Sequence, residues 1–364
     1  MQIIKRIMPV IFIAIFLALN TILNYILVNA NGASEVMWKD FRNEKTIDTV
    51  YLGSSFSQVT FNPYIIDEKL GWKSFNMGTP AQPLDQSYVA LQNAIKEKRI
   101  KRAVLAYGIP TMEDTQNDNA RITFAHAMKY GCSWKQKVKM DWDFITDKEN
   151  VNTESSINYL FPWISNSIEW TKTAIENNIK LKKHNNDATE NMKTTEWYAS
   201  YIGKGYAPIL TGGFDYKNAI TDNTRANYNC IIHETAYCKL EKICKLCKDN
   251  DVEFIMVNTP KAPYDISMYG ADEYFAINSR IEEICSKYGF SYYDFNLIKP
   301  EIFQICPEYL NNYEHLSKAG SEAFCNAFSN FIRLHDSGES MTNYFYNEEE
   351  YLNSVKDIVQ CIKE

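Results

Sequence analysis

The chain has 364 residues, a formal net charge of -7 at pH 7 and 45 % hydrophobic residues, which suits one folded α/β domain with an insertion better than two independent domains. Beyond the first few residues the sequence has no basic run, so its charge offers no electrostatic basis for binding nucleic acid. We therefore expect no nucleic-acid partner.

The first predicted element is an apolar helix. Ile7 to Val28 is a run of 22 residues without a charged side chain, interrupted only by Asn20, Thr21 and Asn24. At the rise of an α-helix this run is about 33 Å long, which is enough to cross the hydrocarbon layer of a bilayer. A buried helix of a soluble protein rarely has so long a run without charge.

The residues around this helix predict its orientation. Lys5 and Arg6 precede it, and a positive flank favours a cytoplasmic N-terminus with the rest of the chain outside the cell. We predict that residues 1–30 are an uncleaved anchor in the cell membrane. A cleaved signal peptide is the alternative, because Val28-Asn29-Ala30 offers small residues at a suitable spacing.

Strands and helices alternate through the rest of the chain. The predicted strands are Asp48 to Ser54, Lys73 to Met77, Arg102 to Tyr107, Glu253 to Thr259 and Ser291 to Phe295. Helical spacing is kept by Leu84, Tyr88, Leu91 and Ile95, and again by Ile281, Ile284, Cys285 and Tyr288. This alternation predicts a flavodoxin-like three-layer α/β sandwich with a five-stranded parallel sheet. Right-handed crossovers then bring the C-terminal ends of all strands to one edge.

The interval from about 112 to 224 breaks this rhythm and is rich in polar residues and tryptophan. We predict a largely helical insertion after the third strand, where it would shape access to the active edge. The α/β domain is then predicted over 31–334, followed by a helical tail over 335–364. Helical spacing in that tail is kept by Leu352, Val355, Ile358 and Val359.

The nine cysteines cannot all pair within the chain, because their number is odd. Cys244 and Cys247 form a CxxC pair of the kind found in metal and redox sites. However, both fall on one helical stripe with Leu240 and Ile243, and no second CxxC completes a zinc set. We expect these two thiols to pack in the core.

Two short stretches carry candidate chemistry. The first predicted strand ends on Gly53-Ser54-Ser55, where a serine either caps the next helix or faces the crevice at the sheet edge. His315 lies between the fifth strand and a helix that begins near Ser317, so it also belongs to that edge. A serine becomes a useful nucleophile when a histidine accepts its proton.

With these residues in place, the chain resembles the SGNH/GDSL hydrolase superfamily. Its first sequence block is similar to LGSS at Leu52 to Ser55, its second to NMGTPAQP at Asn76 to Pro83, and its last to NNYEHLSKAG at Asn311 to Gly320. The resemblance covers roughly Lys45 to Arg333 without the insertion. It is closest in style to the membrane-anchored members that modify the cell envelope, such as the D-alanyl transfer protein of teichoic-acid assembly and the alginate acetylation proteins.

The resemblance implies roles for particular residues. Ser55 would be the nucleophile and His315 its general base, while Ser54, in the place of the family's Asp, would be structural. Gly78 would give a backbone N–H to the oxyanion, with the N–H of Ser55 or Phe56 as a second donor. A turn that needs a flexible backbone explains Gly78 equally well.

The chain departs from the family pattern at two positions. The third block's Asn is missing from AYGIPTMED, and Gln82 either replaces that amide or begins the following helix. Asn312 stands where the family has Asp, three residues before His315, and an asparagine can orient an imidazole but cannot offset its charge. Either activity is low, or a carboxylate arrives from elsewhere, for which Asp294 at the end of the fifth strand is the candidate.

These residues predict a membrane-anchored extracytoplasmic serine esterase or O-acyltransferase that acts on acyl esters of cell-envelope polysaccharide or teichoic acid. A multi-spanning membrane acyltransferase would be its partner. No metal or organic cofactor is implied, because the sequence has no HExxH, no P-loop and no GxGxxG after a strand. The alternatives are a catalytically weak scaffold that binds glycan or the acyltransferase, and a secreted soluble lipase.

Overall fold

The structure, a computed structural model, describes residues 2–29, 32–112, 118–147, 152–187, 201–216, 232–263, 266 and 270–355. Contacts divide the chain into two compact units. The anchor unit is Met1–Lys39 with Gln116–Met192, and the α/β unit is Asp40–Thr115 with Lys193–Glu364. This division groups the N-terminal helix with most of the helical insertion, and the predicted domain boundaries at 30 and 334 stay predictions.

The α/β unit contains a five-stranded parallel sheet. Its strands are β1 (Thr49–Gly53), β2 (Ser74–Asn76), β3 (Arg102–Tyr107), β4 (Glu253–Asn258) and β5 (Ser291–Asp294). They lie in the order β2-β1-β3-β4-β5, and every neighbouring pair is parallel. This is the flavodoxin-like order, so the predicted fold class is confirmed. All five strands present their C-terminal ends at one edge.

Helices cover both faces of this sheet. The helices of the α/β unit are α3 (Ser55–Gln58), α4 (Pro63–Leu70), α5 (Leu84–Glu97), α6 (Ile109–Met112), α12 (Glu234–Asp249), α13 (Ala271–Lys287), α14 (Lys318–Asp336) and α15 (Glu348–Ser354). The helix α12 packs against α5 and α13, while α14 packs against α4. Because the strand order reverses at β1, right-handed crossovers place α4 on the face opposite α5.

Apolar stripes explain these layers. On α14, Phe324, Phe328 and Phe331 are fully buried at helical spacing, and Phe61 meets Phe324 and Phe328 edge to face. The core prediction for the CxxC pair is confirmed, because the stripe on α12 that contains both thiols is buried. Its members are Leu240, Ile243, Cys244 and Cys247.

The anchor unit is helical. Its helices are α1 (Gln2–Leu27), α7 (Asp118–Ala127), α8 (Trp134–Thr146), α9 (Thr153–Leu160), α10 (Pro162–Ser165) and α11 (Lys172–Asp187), and α2 (Gly32–Asn43) begins in this unit. Ile7–Leu27 is long and apolar enough to cross a membrane, and only 6 % of its most apolar window is buried. The predicted helix is therefore confirmed, and membrane crossing stays a proposal.

The predicted C-terminal helix is partly described. The helix α15 ends at Ser354, and Tyr351 is buried with its hydroxyl donating to Pro263 O at 2.8 Å. Ile358 and Val359, which complete the predicted apolar stripe, lie outside the described residues.

Candidate active site

The first part of the site is the turn that follows β1. Gly53 has a φ of 122°, and a Cβ there would lie 2.4 Å from Ala106 O, so only glycine fits between β1 and β3. Ser54 then caps α3, because its Oγ accepts a hydrogen bond from Phe56 N at 3.4 Å. Ser54 is therefore the N-cap residue, and Ser55 is the first residue of the helical turn.

Asn76, at the end of β2, holds this turn in place. Its side-chain nitrogen donates to Ser57 O at 2.8 Å and Phe61 O at 2.9 Å, and its Oδ1 accepts from Ser57 Oγ and from Gly78 N, both at 3.0 Å. The residue is fully buried, so these four bonds fix α3 and the turn after β2 to each other.

The second part of the site is the loop that carries His315. Asn311 N donates to His315 O at 2.9 Å, and Leu310 forms an antiparallel bridge with Leu316. Within this tight loop, Asn312 Oδ1 accepts the backbone N–H groups of Glu314 at 2.9 Å and His315 at 2.8 Å. Two backbone donors therefore determine which atom of the Asn312 amide faces the histidine.

The two parts meet at a hydrogen bond. Ser55 Oγ lies 2.8 Å from His315 Nε2, and His315 Nδ1 lies 3.2 Å from Asn312 Oδ1. Because that oxygen can only accept, Nδ1 carries the imidazole proton and donates it. Nε2 is then an acceptor, and the Ser55 hydroxyl donates to it, which is the arrangement a general base needs.

Burial keeps this imidazole neutral. Desolvation, together with the positive charge of Lys261, lowers the pKa of His315 from 6.5 to about 4. At neutral pH the ring is therefore unprotonated and able to accept the serine proton. The same environment makes it a weak base, because protonation in the low-dielectric site is unfavourable.

Phe56 lies against the histidine. Its ring stacks on His315 with centroids 5.3 Å apart and an interplanar angle of 19°, and Lys261 Nζ lies 4.9 Å from the Phe56 centroid. Gly108, just after β3, makes room for the ring, since a Cβ there would lie 2.4 Å from a Phe56 ring carbon. This contact restricts the imidazole to one plane.

Asp294 does not reach the imidazole, so the expectation that it replaces the missing carboxylate is wrong. Its Oδ2 accepts from Tyr274 OH at 2.6 Å and from Asn278 at 3.3 Å, and its Oδ1 accepts from the backbone and side chain of Asn296. The side chain is buried, and burial raises its pKa. Both ring nitrogens of His315 bond instead to Ser55 and Asn312.

Asp294 nevertheless belongs to a buried network behind the site. Tyr274 OH accepts from Asn258 Nδ2 at 2.8 Å, and Asn258 Oδ1 accepts from Lys261 Nζ at 2.6 Å. Lys261 is 4 % exposed and also donates to Thr259 O at 3.2 Å. A chain of neutral groups thus connects the buried lysine to the buried aspartate, and it holds the positive charge near His315.

The two predicted oxyanion donors are committed elsewhere. The Gly78 N–H already donates to Asn76 Oδ1. Gly78 also lets the turn after β2 pass close to α3, because a Cβ there would lie 2.6 Å from Ser57 Cβ. Gln82 is buried, with its Oε1 accepting from Thr79 and its Nε2 donating to Ser87 at the start of α5. The N–H of Ser55 stays the candidate donor, because the first N–H of a helical turn has no intrahelical acceptor.

For three residues of the site, the role seen in the structure was not identified from the sequence. Lys261 follows β4 in NTPKAP, where a lone lysine after an apolar strand gives a weak signal. Phe56 sits beside the nucleophile in a stretch typical of core packing. Asn76 opens the second motif, but only its four hydrogen bonds show that it holds the turn in place.

One further cluster has the composition of a metal site. Ligand atoms of Glu253, His335 and Asp336 lie within 4.8 Å of one another. Arg102, however, already bridges the two carboxylates at 2.6 and 2.7 Å, and Tyr293 OH lies 2.7 Å from His335 Nδ1. The cluster therefore fits an ion-pair network better than a cation site.

No protein-family model and no curated protein matches this chain. Among solved structures, it is similar to a candidate acylhydrolase from Bacteroides fragilis at 10 % identity and a TM-score of 0.39, over 82 % of this chain and 95 % of that one. It is also similar to a GDSL-like lipase from Bacteroides thetaiotaomicron at 10 % identity and a TM-score of 0.35, over 80 % of this chain and 88 % of that one. A lipase/acylhydrolase from Enterococcus faecalis is similar at 9 % identity and a TM-score of 0.35, over 80 % of this chain and 97 % of that one. The functional proposal therefore rests on the chemistry of the site.

Proposed function

We propose that this protein transfers acyl groups through an ester on Ser55, as a serine esterase or O-acyltransferase. The observation that carries the proposal is the 2.8 Å contact between Ser55 Oγ and His315 Nε2, with the far ring nitrogen held by Asn312. A serine, a neutral imidazole and a group that orients the imidazole are the three parts of nucleophilic acyl transfer.

The reaction follows from this geometry. Ser55 Oγ attacks the acyl carbonyl while His315 Nε2 accepts the hydroxyl proton, and the oxygen that becomes negative is met by the Ser55 N–H. When the intermediate collapses, the bond to the alcohol breaks and Nε2 returns the proton to that alcohol. A water molecule or a sugar hydroxyl then attacks the acyl-serine in the same way, and Ser55 is regenerated.

Asn312 limits this chemistry. Each transfer passes through an imidazolium at His315, and the Asn312 oxygen offers a partial negative charge where a carboxylate would offer a full one. Burial and the positive charge of Lys261 also lower the pKa of the ring to about 4, which makes the imidazolium harder to form. We expect slow turnover, with acylation of Ser55 easier to detect than sustained hydrolysis.

The place of action and the substrate are proposed from α1 and from the motif resemblance. The span Ile7–Leu27 would anchor the protein in the cell membrane, with a cytoplasmic N-terminus and the α/β unit outside. The natural substrates would be acyl esters of cell-envelope polysaccharide or teichoic acid. Because one helix cannot carry activated acyl groups across a membrane, a multi-spanning acyltransferase is the proposed partner.

A fluorophosphonate probe tests the catalytic proposal. It should label the full-length protein in detergent at Ser55, and labelling should be lost in His315→Ala and in Ser55→Ala. Ser54→Ala is the matched control, since it removes the neighbouring hydroxyl while leaving the Ser55 contact, and it should still be labelled. Labelling that survives His315→Ala would contradict activation by the histidine.

The presence of Asn312 also favours a second candidate, a scaffold that binds envelope glycan or an acyltransferase without turning over. On this proposal the well-folded protein is not labelled, and it still binds a polysaccharide or co-purifies with a membrane acyltransferase. The same probe therefore separates the two functions, with circular dichroism to show that the unlabelled protein is folded.

A further inference from the structure

Asn20, one of the polar residues within the apolar helix, binds the helical insertion. Asn20 Nδ2 donates to Leu160 O at 3.1 Å, and Asn20 Oδ1 accepts from Trp163 Nε1 at 2.8 Å. Both ends of this amide are thus bonded to the corner where α9 meets α10. The asparagine that interrupts the apolar run is satisfied by the insertion.

The insertion follows the second half of α1 closely. Phe161 meets Phe16 edge to face, with centroids 5.7 Å apart, and Ile168 N donates to Leu27 O at 2.8 Å. Asn178, on α11, donates to the carbonyls at the end of α1. The contacts therefore extend along α1 from Phe16 to its C-terminal end.

These contacts determine how deep the corner lies relative to α1. At 1.5 Å per residue, Asn20 is about 10 Å and Phe16 about 16 Å from Leu27 along the helix axis. The span Ile7–Leu27 has 21 residues, about as long as the hydrocarbon layer is thick. If α1 crosses a membrane, the α9–α10 corner lies inside one leaflet.

The outward side of this corner suits that position. Ile157, Leu160 and Ile164, which we name the apolar corner, are 47, 39 and 56 % exposed. The neighbouring Phe161 packs on Phe16 of α1, and α1 itself exposes apolar side chains from Ile7 to Tyr25. Because this corner is bonded to α1 at Asn20 and both expose apolar side chains, we expect the medium that covers α1 to cover the corner as well.

Several backbone groups of the corner are paired within the protein. Leu160 O is bonded to Asn20, Phe161 N donates to Ile157 O at 2.9 Å, and Ile164 N donates to Phe161 O at 2.9 Å. Pro162 has no N–H to satisfy. Hydrocarbon tolerates a backbone turn only when its polar groups are paired in this way.

Trp170 is placed for the boundary of the membrane. Its indole is 64 % exposed and its Nε1 donates to Ser167 at 3.2 Å, and Ser167 bridges to Val28 beyond the end of α1. Tryptophan is enriched at this level, where one side of the ring is apolar and the other is hydrated.

We propose that the apolar corner is inserted among phospholipid acyl chains, in the leaflet nearest Leu27, as a second membrane contact beside α1. The inference rests on the proposed anchoring of α1. The insertion would then help to hold the anchor unit in the bilayer, in addition to any part it has in substrate access.

Photocrosslinking in the full-length protein tests this. Benzoylphenylalanine is placed at Phe12, Ile164 or Leu210, the last an exposed residue of the α/β unit. Each protein is irradiated in native membranes and in vesicles of phosphatidylethanolamine and phosphatidylglycerol, and adducts are identified by mass. We expect phospholipid adducts at positions 12 and 164 and only background at position 210.

The other outcomes distinguish the anchoring of α1 from the insertion of the apolar corner. Lipid adducts at position 12 with background at 164 would overturn the inserted corner and leave the anchor in place. Background at both positions would overturn the anchoring as well. A protein adduct at position 164 in native membranes would also overturn the lipid proposal, and it would identify the corner as a docking surface for that protein.

Discussion

Asn312 Oδ1 lies 3.2 Å from the His315 ring and accepts the backbone N–H of the same histidine at 2.8 Å. One oxygen thus shapes the loop and selects the tautomer of the base. The loop therefore needs an acceptor at this position, and an aspartate would satisfy the loop equally well. Asparagine changes the electrostatics of the site without changing its geometry.

The pH profile of acyl transfer should reflect the low basicity of His315. Because the ring must be unprotonated to accept the Ser55 proton, kcat/KM should rise with pH and reach half its plateau near pH 4, the lowered pKa of the ring. An ordinary histidine would place that limb near 6.5. Measuring kcat/KM with an activated acyl ester from pH 3.5 to 8 checks this.

Replacing Asn312 by Asp should increase activity. The carboxylate keeps both backbone hydrogen bonds and adds the negative charge that stabilises the imidazolium, so kcat/KM should rise about tenfold or more, and the acid limb should move to higher pH. The Asn312→Asp, His315→Ala double variant is the control and should show no gain. An unchanged or lower rate in Asn312→Asp would show that imidazolium formation does not limit the reaction.

Lys261→Met should raise the pKa of His315, because it removes the positive charge that disfavours protonation of the ring. We expect the acid limb of kcat/KM to move to higher pH. Lys287→Met, which changes an exposed lysine of the same unit, should leave the limb in place. If both variants keep the wild-type limb while remaining folded, burial alone lowers the pKa.

Asn76→Leu should destabilise the α/β unit. The change removes the Asn76 donor from the buried carbonyl of Phe61 and the Asn76 acceptor from Ser57 Oγ and Gly78 N, at a cost of about 3 kcal/mol or more in the free energy of unfolding. Asn326→Leu is the matched control, since Asn326 is exposed and donates to Glu322 O in its own helix. Urea unfolding of both variants measures the difference, which should be small for Asn326→Leu.

Stability should also fall on acidification because of His315. Its pKa is about 4 in the folded protein and about 6.5 when unfolded, so the unfolded chain binds more protons between these values. The contribution is fully present above about pH 6.5 and is lost as the pH falls towards 4, by about 3 kcal/mol. His315→Gln should flatten this part of the stability profile, and an unchanged slope would contradict the shifted pKa.

The sheet could be predicted from local pattern because each strand is a short apolar run. Arg102–Tyr107 matches its prediction, and the other strands differ by a residue or two at their ends. Parallel pairing follows from the alternation of strand and helix. Ser55 and His315 could be placed at the same edge for that reason alone, since both follow the C-terminal end of a strand.

The rest of the site depends on contacts between distant segments. Asp294 ends a strand at the same edge of the sheet as Ser55 and His315, yet its side chain accepts a hydrogen bond from Tyr274. No local sequence pattern predicts this orientation. Gly78 and Gln82 were assigned to the oxyanion by motif position, whereas the hydrogen bonds they make are decided by Asn76 and Ser87. Direction of a side chain is a tertiary property, because packing selects among rotamers that the sequence allows equally.

By itself, the sequence determined the order of the strands along the chain, the apolar N-terminal helix, and the two short stretches with a serine and a histidine, because these depend on the periodicity and type of neighbouring residues. Only the tertiary structure decided that Ser55 and His315, 260 positions apart, share a hydrogen bond, that Asn312 rather than Asp294 holds the imidazole, and that Asn20 binds the insertion. These contacts form only when segments distant in the sequence pack against each other, and the packing of the whole unit sets their geometry.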